Sequence, residues 1–369
     1  MTVRVNGKVV TPTGVVRQGC VEVRGDRITA VAEYPSVRDG HWVVPGFVDI
    51  HTHGGGGHTF TTGDADSARA AAAFHLGHGT TSLLASLVSA PFELMRSATS
   101  AFAPLVNEGV LAGIHFEGPY LSAARCGAQN PQFLRDPSTD ELTELIKLGD
   151  GAVRMVTVAP ERAGALAAIE LLTGHGVVAA VGHTDATYEQ TRAAIAAGAS
   201  VGTHVFNGMR PVHHREPGPV VALLSTPNVI CELVADGVHL HDGTLTFATS
   251  TAGPERCALI TDAMAAAGMP DGEYELGGQA VTVAEGVARL AGDGAIAGST
   301  LTMDAALRHA VAAGIPVPDA VRMVSTTPAL AIGLGDQVGA LQPGLRADLV
   351  VLDNDLNVVR VMRGGTWVQ

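Results

Sequence analysis

Side chains that could hold a divalent metal ion stand at the ends of short apolar stretches of the sequence. Imidazole and carboxylate groups together suit zinc or a similar divalent ion, and an open coordination position would mark such a site as catalytic. A single histidine of this kind is usually a structural residue. Several metal-binding side chains at the ends of successive apolar stretches favour a shared metal site. The residues concerned are His51, His53, Glu117, His183, His204 and Asp262.

The apolar stretches themselves predict the elements that position these residues. Eight stretches of strand length alternate with Ala-rich stretches of helical length, which is typical of repeated βα units. This pattern predicts an α/β fold, a (β/α)8 TIM barrel, whose active site lies at the carboxyl ends of the strands. The predicted strands are VVPGFVDIHTH, TTSLLASLV, VLAGIHFEGP, VRMVTVAP, GVVAAVGHT, SVGTHVFN, VICELVADGVH and CALITDAM.

A doubly wound open sheet is the alternative fold, and it predicts a glycine-rich phosphate turn after the first strand. The four glycines at 54–57 have neither the GxGxxG spacing nor the Lys-Ser or Lys-Thr of a Walker loop. We interpret them as a flexible turn, which leaves the barrel as the prediction.

Spacing supports a common metal site. His51 and His53 are two residues apart on one strand, so their side chains point the same way. His183 and His204 are 21 residues apart, about one βα repeat. Two alternatives stay open at this point: Glu117 could pair with Arg125 or cap a loop, and Asp262 could begin the next helix.

Both ends of the chain contain strand-like runs with alternating apolar positions. We predict that residues 1–45 and 337–369 pair into one small β unit beside a barrel domain at 46–336. Residues 268–294 are rich in turn signals and predict an excursion of hairpins after the eighth strand.

Composition narrows the class of protein. The formal net charge of −13 argues against general binding of nucleic acid or anionic membrane, so any anionic ligand needs a local basic pocket. The four cysteines have no CxxC spacing, and we see neither a secretion signal nor an apolar run long enough to span a membrane. We therefore expect a cytoplasmic enzyme with reduced thiols.

The motifs together resemble the N-acetylglucosamine-6-phosphate deacetylases, a family of the amidohydrolase superfamily. The resemblance covers nearly the whole chain, and the combination of motifs is specific, whereas HTH or ADLVVLD alone would indicate only the superfamily. The matching segments are PGFVDIHTHG, HFEGPYL, GHTDAT, THVFNGM, REPG, ADGVH, ITDAM, AIAGST and ADLVVLD.

This resemblance implies a TIM barrel flanked by a small β-sandwich that both termini form. It also implies hydrolysis of an acetamide to acetate and glucosamine 6-phosphate at a divalent metal site. It implies Glu117, His183 and His204 as the principal metal ligands and Asp262 as the carboxylate that transfers protons. His51 and His53 match second-metal ligands that some relatives lack. One or two ions are expected, with zinc as the first choice and iron, cobalt or manganese as alternatives.

The resemblance also implies which residues contact the substrate. Arg215 would hold the phosphate, and a guanidinium suits it because it forks onto phosphate oxygens, although a loop arginine without this context is usually a solvated charge. His239 would lie near the acetyl carbonyl. The remaining expected contacts are Asn207 and Gly208 at the sugar phosphate, Ile296, Ala297 and Gly298 at the acetyl group, and Ala128 and Gln129 in the loop after EGP.

Gln129 departs from the family, which commonly has a histidine there. A glutamine can hydrogen-bond a sugar hydroxyl but cannot become cationic, so it bears on sugar specificity and on pH dependence. Cys126 in the same loop is interpreted as incidental. The family further implies a homodimer in which Arg215 reaches the partner's site.

Rival functions follow from the same residues. A deacetylase of N-acetylgalactosamine 6-phosphate or a cyclic-amide hydrolase would use the same metal site, and Arg215 separates phosphorylated from unphosphorylated substrates. A non-catalytic scaffold would have lost its chemistry, which the complete set of ligands together with Asp262 argues against.

Overall fold

The computed structural model describes residues 2–34 and 40–368. In these residues the strands follow one another along the chain as β1 Thr2–Thr11, β2 Gly14–Arg24, β3 Arg27–Glu33, β4 Trp42–Pro45, β5 Phe47–Thr52, β6 Gly54–Gly55, β7 His58–Thr59, β8 Thr80–Leu87, β9 Gly113–Glu117, β10 Val153–Val158, β11 Val178–Val181, β12 Val201–Gly202, β13 Ile230–Val234, β14 Cys257–Ile260, β15 Gly272–Leu276, β16 Gln279–Ala284, β17 Val287–Leu290, β18 Leu349–Leu352, β19 Val358–Arg363 and β20 Thr366–Trp367.

Helices alternate with the central strands and cover them. They are α1 Ala65–Gly77, α2 Phe92–Asn107, α3 Thr139–Gly149, α4 Ala165–Gly174, α5 Tyr188–Ala196, α6 Gly218–Ser225, α7 Asp242–Ala252, α8 Met303–Ala312, α9 Val317–Val321 and α10 Thr327–Ala331. Among the described residues, no helix is both long and apolar enough to cross a lipid bilayer.

Helix starts are fixed by short polar side chains. Asp64, Ser138 and Thr187 each accept a hydrogen bond from the backbone N–H three residues further on, at the starts of α1, α3 and α5. Such N-caps satisfy donors that a helix leaves unpaired, and each stabilises the fold by about 1 kcal/mol.

Eight parallel strands, β5 and β8–β14 in sequence order, form the barrel. Its first and last strands meet just past their ends, where Asp262 N donates to His51 O at 2.9 Å and His53 N donates to Ala263 O at 2.7 Å. The eight predicted strands each contain one of these strands, so the predicted TIM barrel is confirmed.

Strands from both termini form a separate sheet in the order β20-β19-β18-β4-β1-β2-β3. The segment just before β18 contacts the β2–β3 turn, since Ala347 N donates to Asp26 O at 2.7 Å. Val9, Val23 and Met362 share its apolar core. The small sandwich built from both termini is thereby confirmed, while the boundaries at 45/46 and 336/337 stay predictions.

The predicted hairpin excursion is a three-stranded antiparallel sheet, β15–β17. Leu276 and Val281 pack with Val88 and Met264 in a small apolar cluster of their own. This sheet follows the eighth strand and therefore forms part of the wall at the carboxyl end of the barrel.

Candidate active site

Barrel strands end at the residues that the sequence singled out. Glu117 is the last residue of β9, and His183, His204 and Asp262 each lie two residues beyond the end of a strand. These three have positive φ angles of 44°, 25° and 50°, a backbone conformation that non-glycine residues rarely adopt. Strain of this kind is concentrated at functional sites because surrounding structure must hold it in place.

Glu117, His183 and His204 form the first cluster. Glu117 Oε1 lies 2.9 Å from His183 Nε2 and 2.8 Å from His204 Nε2, and the two Nε2 atoms are 3.1 Å apart. The Nδ1 atoms face carbonyl oxygens of Arg125 at 2.9 Å and Asn207 at 3.2 Å. Because a carbonyl only accepts, each Nδ1 carries the proton and each Nε2 is free to bind a metal. The donor set fits a divalent ion.

His51, His53 and Asp262 form a second cluster of the same design. His53 Nε2 lies 3.2 Å from His51 Nε2 and 3.1 Å from Asp262 Oδ1. His51 Nδ1 donates to Glu232 Oε2 at 3.0 Å, and His53 Nδ1 donates to Ser86 O at 3.1 Å. Both Nε2 atoms are thus available to a second divalent ion, and this donor set fits one as well.

Glu117 lies between the two clusters. Its Oε2 is 3.2 Å from His53 Nε2, while its Oε1 faces the first cluster. Gln129 holds it in place, because Gln129 Nε2 donates to Glu117 Oε2 at 2.7 Å and Gln129 Oε1 accepts from Ser89 N at 2.6 Å. The Gln129 amide therefore holds the Glu117 carboxylate in place as well as lining the cavity.

Electrostatics favour ionised carboxylates in both clusters. Burial alone would raise the pKa of Glu117 and Asp262, but the neighbouring imidazoles, His51 foremost, lower both pKa values below their ordinary range. Burial would lower the pKa of His53, yet hydrogen bonds to Asp262 and Glu117 raise it to about 9. A negative potential that favours a proton on these rings equally favours a divalent cation.

His239 faces Asp262 from the loop after β13. Its Nδ1 donates to Asp236 Oδ2 at 2.6 Å, and its Nε2 lies 3.9 Å from Asp262 Oδ2. Burial would lower the pKa of His239, but the hydrogen bond to Asp236 outweighs burial and raises it. The ring is therefore oriented toward Asp262, with its protonated form favoured.

The two clusters open into a cavity of about 210 Å³. Of the predicted substrate contacts, the following line it: Ala128, Gln129, Asn207, Gly208, His239, Ile296 and Gly298. Gly208 has φ +60°, and a Cβ there would lie 2.8 Å from His183 Nδ1, so a side chain would press on the His183 ring. Val88 and Leu276 add an apolar wall that the sequence did not predict.

Two predicted contacts do not reach the cavity of their own chain. Ala297 is fully buried and packs with Met264 and Val281 under β15–β17. Arg215 is exposed on the loop before α6, where its Nη1 is 2.7 Å from His214 Nε2, and it borders a separate cavity. None of the described residues that line the main cavity is a lysine or an arginine.

Two alternatives left open by the sequence, an ion pair of Glu117 with Arg125 and a helix start at Asp262, are wrong in this structure. Arg125 pairs with Asp185 at 2.8 Å and not with Glu117. Asp262 does not begin a helix, since the next helix, α8, starts at Met303 with Thr302 at its N-cap.

Three polar residues that support the site, two of them buried, were missed by sequence reasoning. Asp236 orients His239, Glu232 accepts from His51, and His115 packs against His51 with ring centroids 4.6 Å apart. Burial, reinforced by the neighbouring His51, lowers the pKa of His115, so it is neutral. The sequence did indicate two of them, because Glu232 and His115 are polar residues inside apolar strand segments. Burial of such a residue costs free energy unless it is paired, so a partner was to be expected.

A barrel with two clusters at its strand ends that could each hold a divalent ion is typical of a metal-dependent amidohydrolase, and the amidohydrolase family model matches residues 42–368. The N-acetylgalactosamine-6-phosphate deacetylase of Escherichia coli O157:H7 is 39% identical, over 90% of this chain and 88% of its own. The N-acetylglucosamine-6-phosphate deacetylase of Vibrio furnissii is 37% identical, over 89% and 82%. This chain belongs to the N-acetylglucosamine-6-phosphate deacetylase family of the amidohydrolases.

Solved structures agree with this placement. An aspartate-to-alanine mutant of N-acetyl-D-glucosamine-6-phosphate deacetylase from Mycobacterium smegmatis, in complex with N-acetyl-D-glucosamine-6-phosphate, is 50% identical with a TM-score of 0.96. The match covers 99% of each chain.

Proposed function

We propose that this chain hydrolyses N-acetylglucosamine 6-phosphate to glucosamine 6-phosphate and acetate. One observation carries the proposal: Asp262 lies between His53 and His239. Its Oδ1 is 3.1 Å from His53 Nε2, and its Oδ2 is 3.9 Å from His239 Nε2. A general base beside a metal site and opposite a hydrogen-bond donor is what amide hydrolysis needs. The identity of the proposed substrate is taken from the names of the relatives.

Glu117, His183 and His204 would hold the first divalent ion, and His51, His53 and Asp262 would hold a second. When bound, such an ion acts as a Lewis acid that polarises a carbonyl and lowers the pKa of water toward about 7. Zinc is the proposed metal, because imidazole and carboxylate donors suit it.

Asp262 is proposed to carry the proton through both halves of the reaction. A water oxygen bonds to the acetyl carbon while its proton passes to an Asp262 carboxylate oxygen. The C–N bond then breaks, and the same proton passes from Asp262 to the departing amine nitrogen. The low pKa of Asp262 keeps it ionised and ready to accept.

His239 is proposed to donate a hydrogen bond from Nε2 to the acetyl oxygen as negative charge develops there. Asp236 keeps the ring oriented from the other side. Removal of one such donor has lowered turnover by about 10²–10³-fold in other enzymes. Val88, Leu276 and Ile296 would contact the acetyl methyl group, because they provide apolar wall of the cavity.

Phosphate recognition is proposed to require a second subunit. The described lining of the main cavity contains no lysine or arginine, and Arg215 lies exposed on a loop outside it. A homodimer in which Arg215 enters the partner's cavity would supply the missing guanidinium, beside Asn207 and Gly208. This arrangement would make the active site dependent on assembly.

The cytoplasm is the proposed compartment. All four cysteines are free, which suits a reducing environment. A phosphorylated sugar carries charge that disfavours passage through a bilayer, so its hydrolase is expected where the substrate is made.

N-acetylgalactosamine 6-phosphate is the second candidate substrate, because a relative of that name is 39% identical. Acetate release should be measured on both sugar phosphates and on unphosphorylated N-acetylglucosamine, with chelated protein and with protein restored by zinc. We expect metal-dependent activity with the highest kcat/KM for N-acetylglucosamine 6-phosphate. Equal activity on the unphosphorylated sugar would overturn the phosphate assignment, and preference for the galacto sugar would overturn the substrate.

A further inference from the structure

A second polar cavity, of about 140 Å³, lies at the opposite end of the barrel from the metal ligands. Ser82 and Arg154 enter it from the amino-terminal parts of β8 and β10. Arg346 and Arg363 enter it from the carboxyl-terminal part of the chain, so it lies between barrel and terminal sheet. It shares no lining residue with the candidate active site.

Positive charge in this cavity is poorly compensated. Arg346 Nε donates to Asp348 Oδ2 at 2.7 Å, and Asp348 is the one carboxylate bonded to any of the three arginines among the described residues. Arg363 donates only to the neutral carbonyl oxygens of Gly109 and Val110. Two of the three positive charges therefore have no bonded counter-charge in residues 2–34 and 40–368.

Arg154 distinguishes this cavity from an ordinary structural contact. Arg346 and Arg363 tie the terminal strands to the barrel, since Arg346 also donates to Ser82 Oγ at 2.8 Å. Arg154 makes no hydrogen bond or ion pair with any described residue, and its Nε is buried without a partner. A half-buried cation beside two others raises the energy of the fold unless an anion joins them.

The titration of Arg363 agrees with this reading. Burial lowers the pKa of Arg363, and the positive charge of Arg346 lowers it further. A guanidinium nevertheless stays protonated at any physiological pH, so the repulsion cannot be relieved by loss of a proton.

We propose that this cavity is a binding site for a small oxyanion of the phosphate class, either inorganic phosphate or the phosphate group of a phosphomonoester. Guanidinium groups fork onto phosphate oxygens, and here they would converge from three segments. Ser82 Oγ accepts from Arg346, which leaves its own proton to donate to the anion. The volume suffices, since one water occupies roughly 30 Å³ in the liquid.

The bound anion would join the barrel to the terminal sheet, so it should stabilise the folded protein as any ligand of the native state does. The proposal does not depend on the proposed activity, because it concerns other residues at the other end of the barrel.

The test is calorimetric titration with inorganic phosphate at constant ionic strength, with melting temperature as the second readout. Arg154→Met removes a cation that makes no hydrogen bond or ion pair with the described residues and keeps an unbranched apolar stem, so the variant should fold, with an unchanged or higher melting temperature when phosphate is absent. We expect this substitution to weaken phosphate binding by about tenfold or more and to abolish the thermal stabilisation by phosphate. Arg154→Lys keeps the charge and should retain part of both effects.

Arg215→Met is the control for phosphate bound near the proposed active site, and it should leave the binding intact. Loss of binding in Arg215→Met with retention in Arg154→Met would overturn the proposal, as would no binding to the unaltered protein. In the Arg215→Met background, binding of inorganic phosphate alone assigns the site to the free ion. Additional binding of glucose 6-phosphate, lost with Arg154→Met, assigns it to phosphomonoesters.

Discussion

Glu232 Oε2 lies 3.0 Å from His51 Nδ1, although the two residues are 181 positions apart in the sequence. The same oxygen accepts from the backbone N–H of His204 at 3.2 Å. One buried carboxylate therefore holds the His51 ring in one cluster and the backbone of His204 in the other.

Replacement of Glu232 by glutamine should weaken the second metal site. A glutamine amide can donate to His51 Nδ1, which would move the ring proton to Nε2 and block metal binding there. Loss of an outer partner of a metal ligand typically lowers metal affinity about 10–100-fold. Metal content per chain, measured after dialysis against buffered free zinc, should fall from two ions toward one.

The exposed Glu189 in α5 offers the matched control, since Glu189→Gln should leave the metal content unchanged. Two tightly bound ions in Glu232→Gln would contradict the positioning role.

Asp262→Asn should remove the proton carrier while the first cluster stays complete. We expect kcat to fall by about 10²–10⁴-fold, the usual contribution of general acid–base catalysis. One tightly bound ion should remain, held by Glu117, His183 and His204. Turnover and metal content measured on the same preparation check both statements, and near-normal turnover would refute the assignment of Asp262.

Asp236→Asn should change the pH dependence of the enzyme. Asp236 raises the pKa of His239 against the effect of burial, so the protonated ring is lost only as pH rises through that raised value. Without the carboxylate, burial dominates and the pKa falls. The alkaline limb of the kcat/KM profile should therefore move to lower pH.

Asp140→Asn, which replaces an exposed carboxylate in α3, should leave this limb in place. A uniform loss of activity in Asp236→Asn with no shift of the limb would argue for a purely structural role of Asp236.

Arg215→Met should raise KM for phosphorylated substrates and leave unphosphorylated ones unaffected, because only the phosphate needs the guanidinium. The trans arrangement makes a sharper prediction for mixed dimers. When Arg215→Met subunits are mixed with Asp262→Asn subunits, a mixed dimer contains one site with an intact Asp262 and an Arg215 from its partner. Activity should then rise above the mean of the two variants.

The control is Arg215→Met mixed with the double variant that carries both substitutions, where no activity should be regained. If the first mixture gained no activity although exchange of subunits was verified, Arg215 would act in the active site of its own chain.

Much of the fold and of the candidate metal centre could be predicted from the sequence. The eight strands were recognisable from apolar runs alone. The candidate ligands lie at their ends, because every parallel strand of a barrel places its last side chains at the same face. His51 and His53 illustrate this, since their two-residue spacing on one strand was enough to predict a shared direction.

Prediction from the sequence was weaker for side chains that bond residues of distant segments and for residues that are buried away from the cavity. Ala297 was expected at the acetyl group, but the three-stranded sheet covers it and buries it in a separate apolar cluster. Gln129 was expected to contact sugar, yet its amide also spans Ser89 and Glu117. Hydrogen bonds of this kind depend on how the loops pack, and a local sequence pattern does not predict that packing.

The sequence by itself determined the order of strands and helices and the residue types at each strand end, because period and spacing are local properties of the chain. Only the tertiary structure decided that Glu232 meets His51, that Asp236 orients His239 and that Arg215 stays outside its own cavity. Those relationships arise when the barrel closes, since closure brings together groups from distant strands and fixes which of them are buried. Burial and distance then set the pKa values and free ring nitrogens on which the proposed chemistry rests.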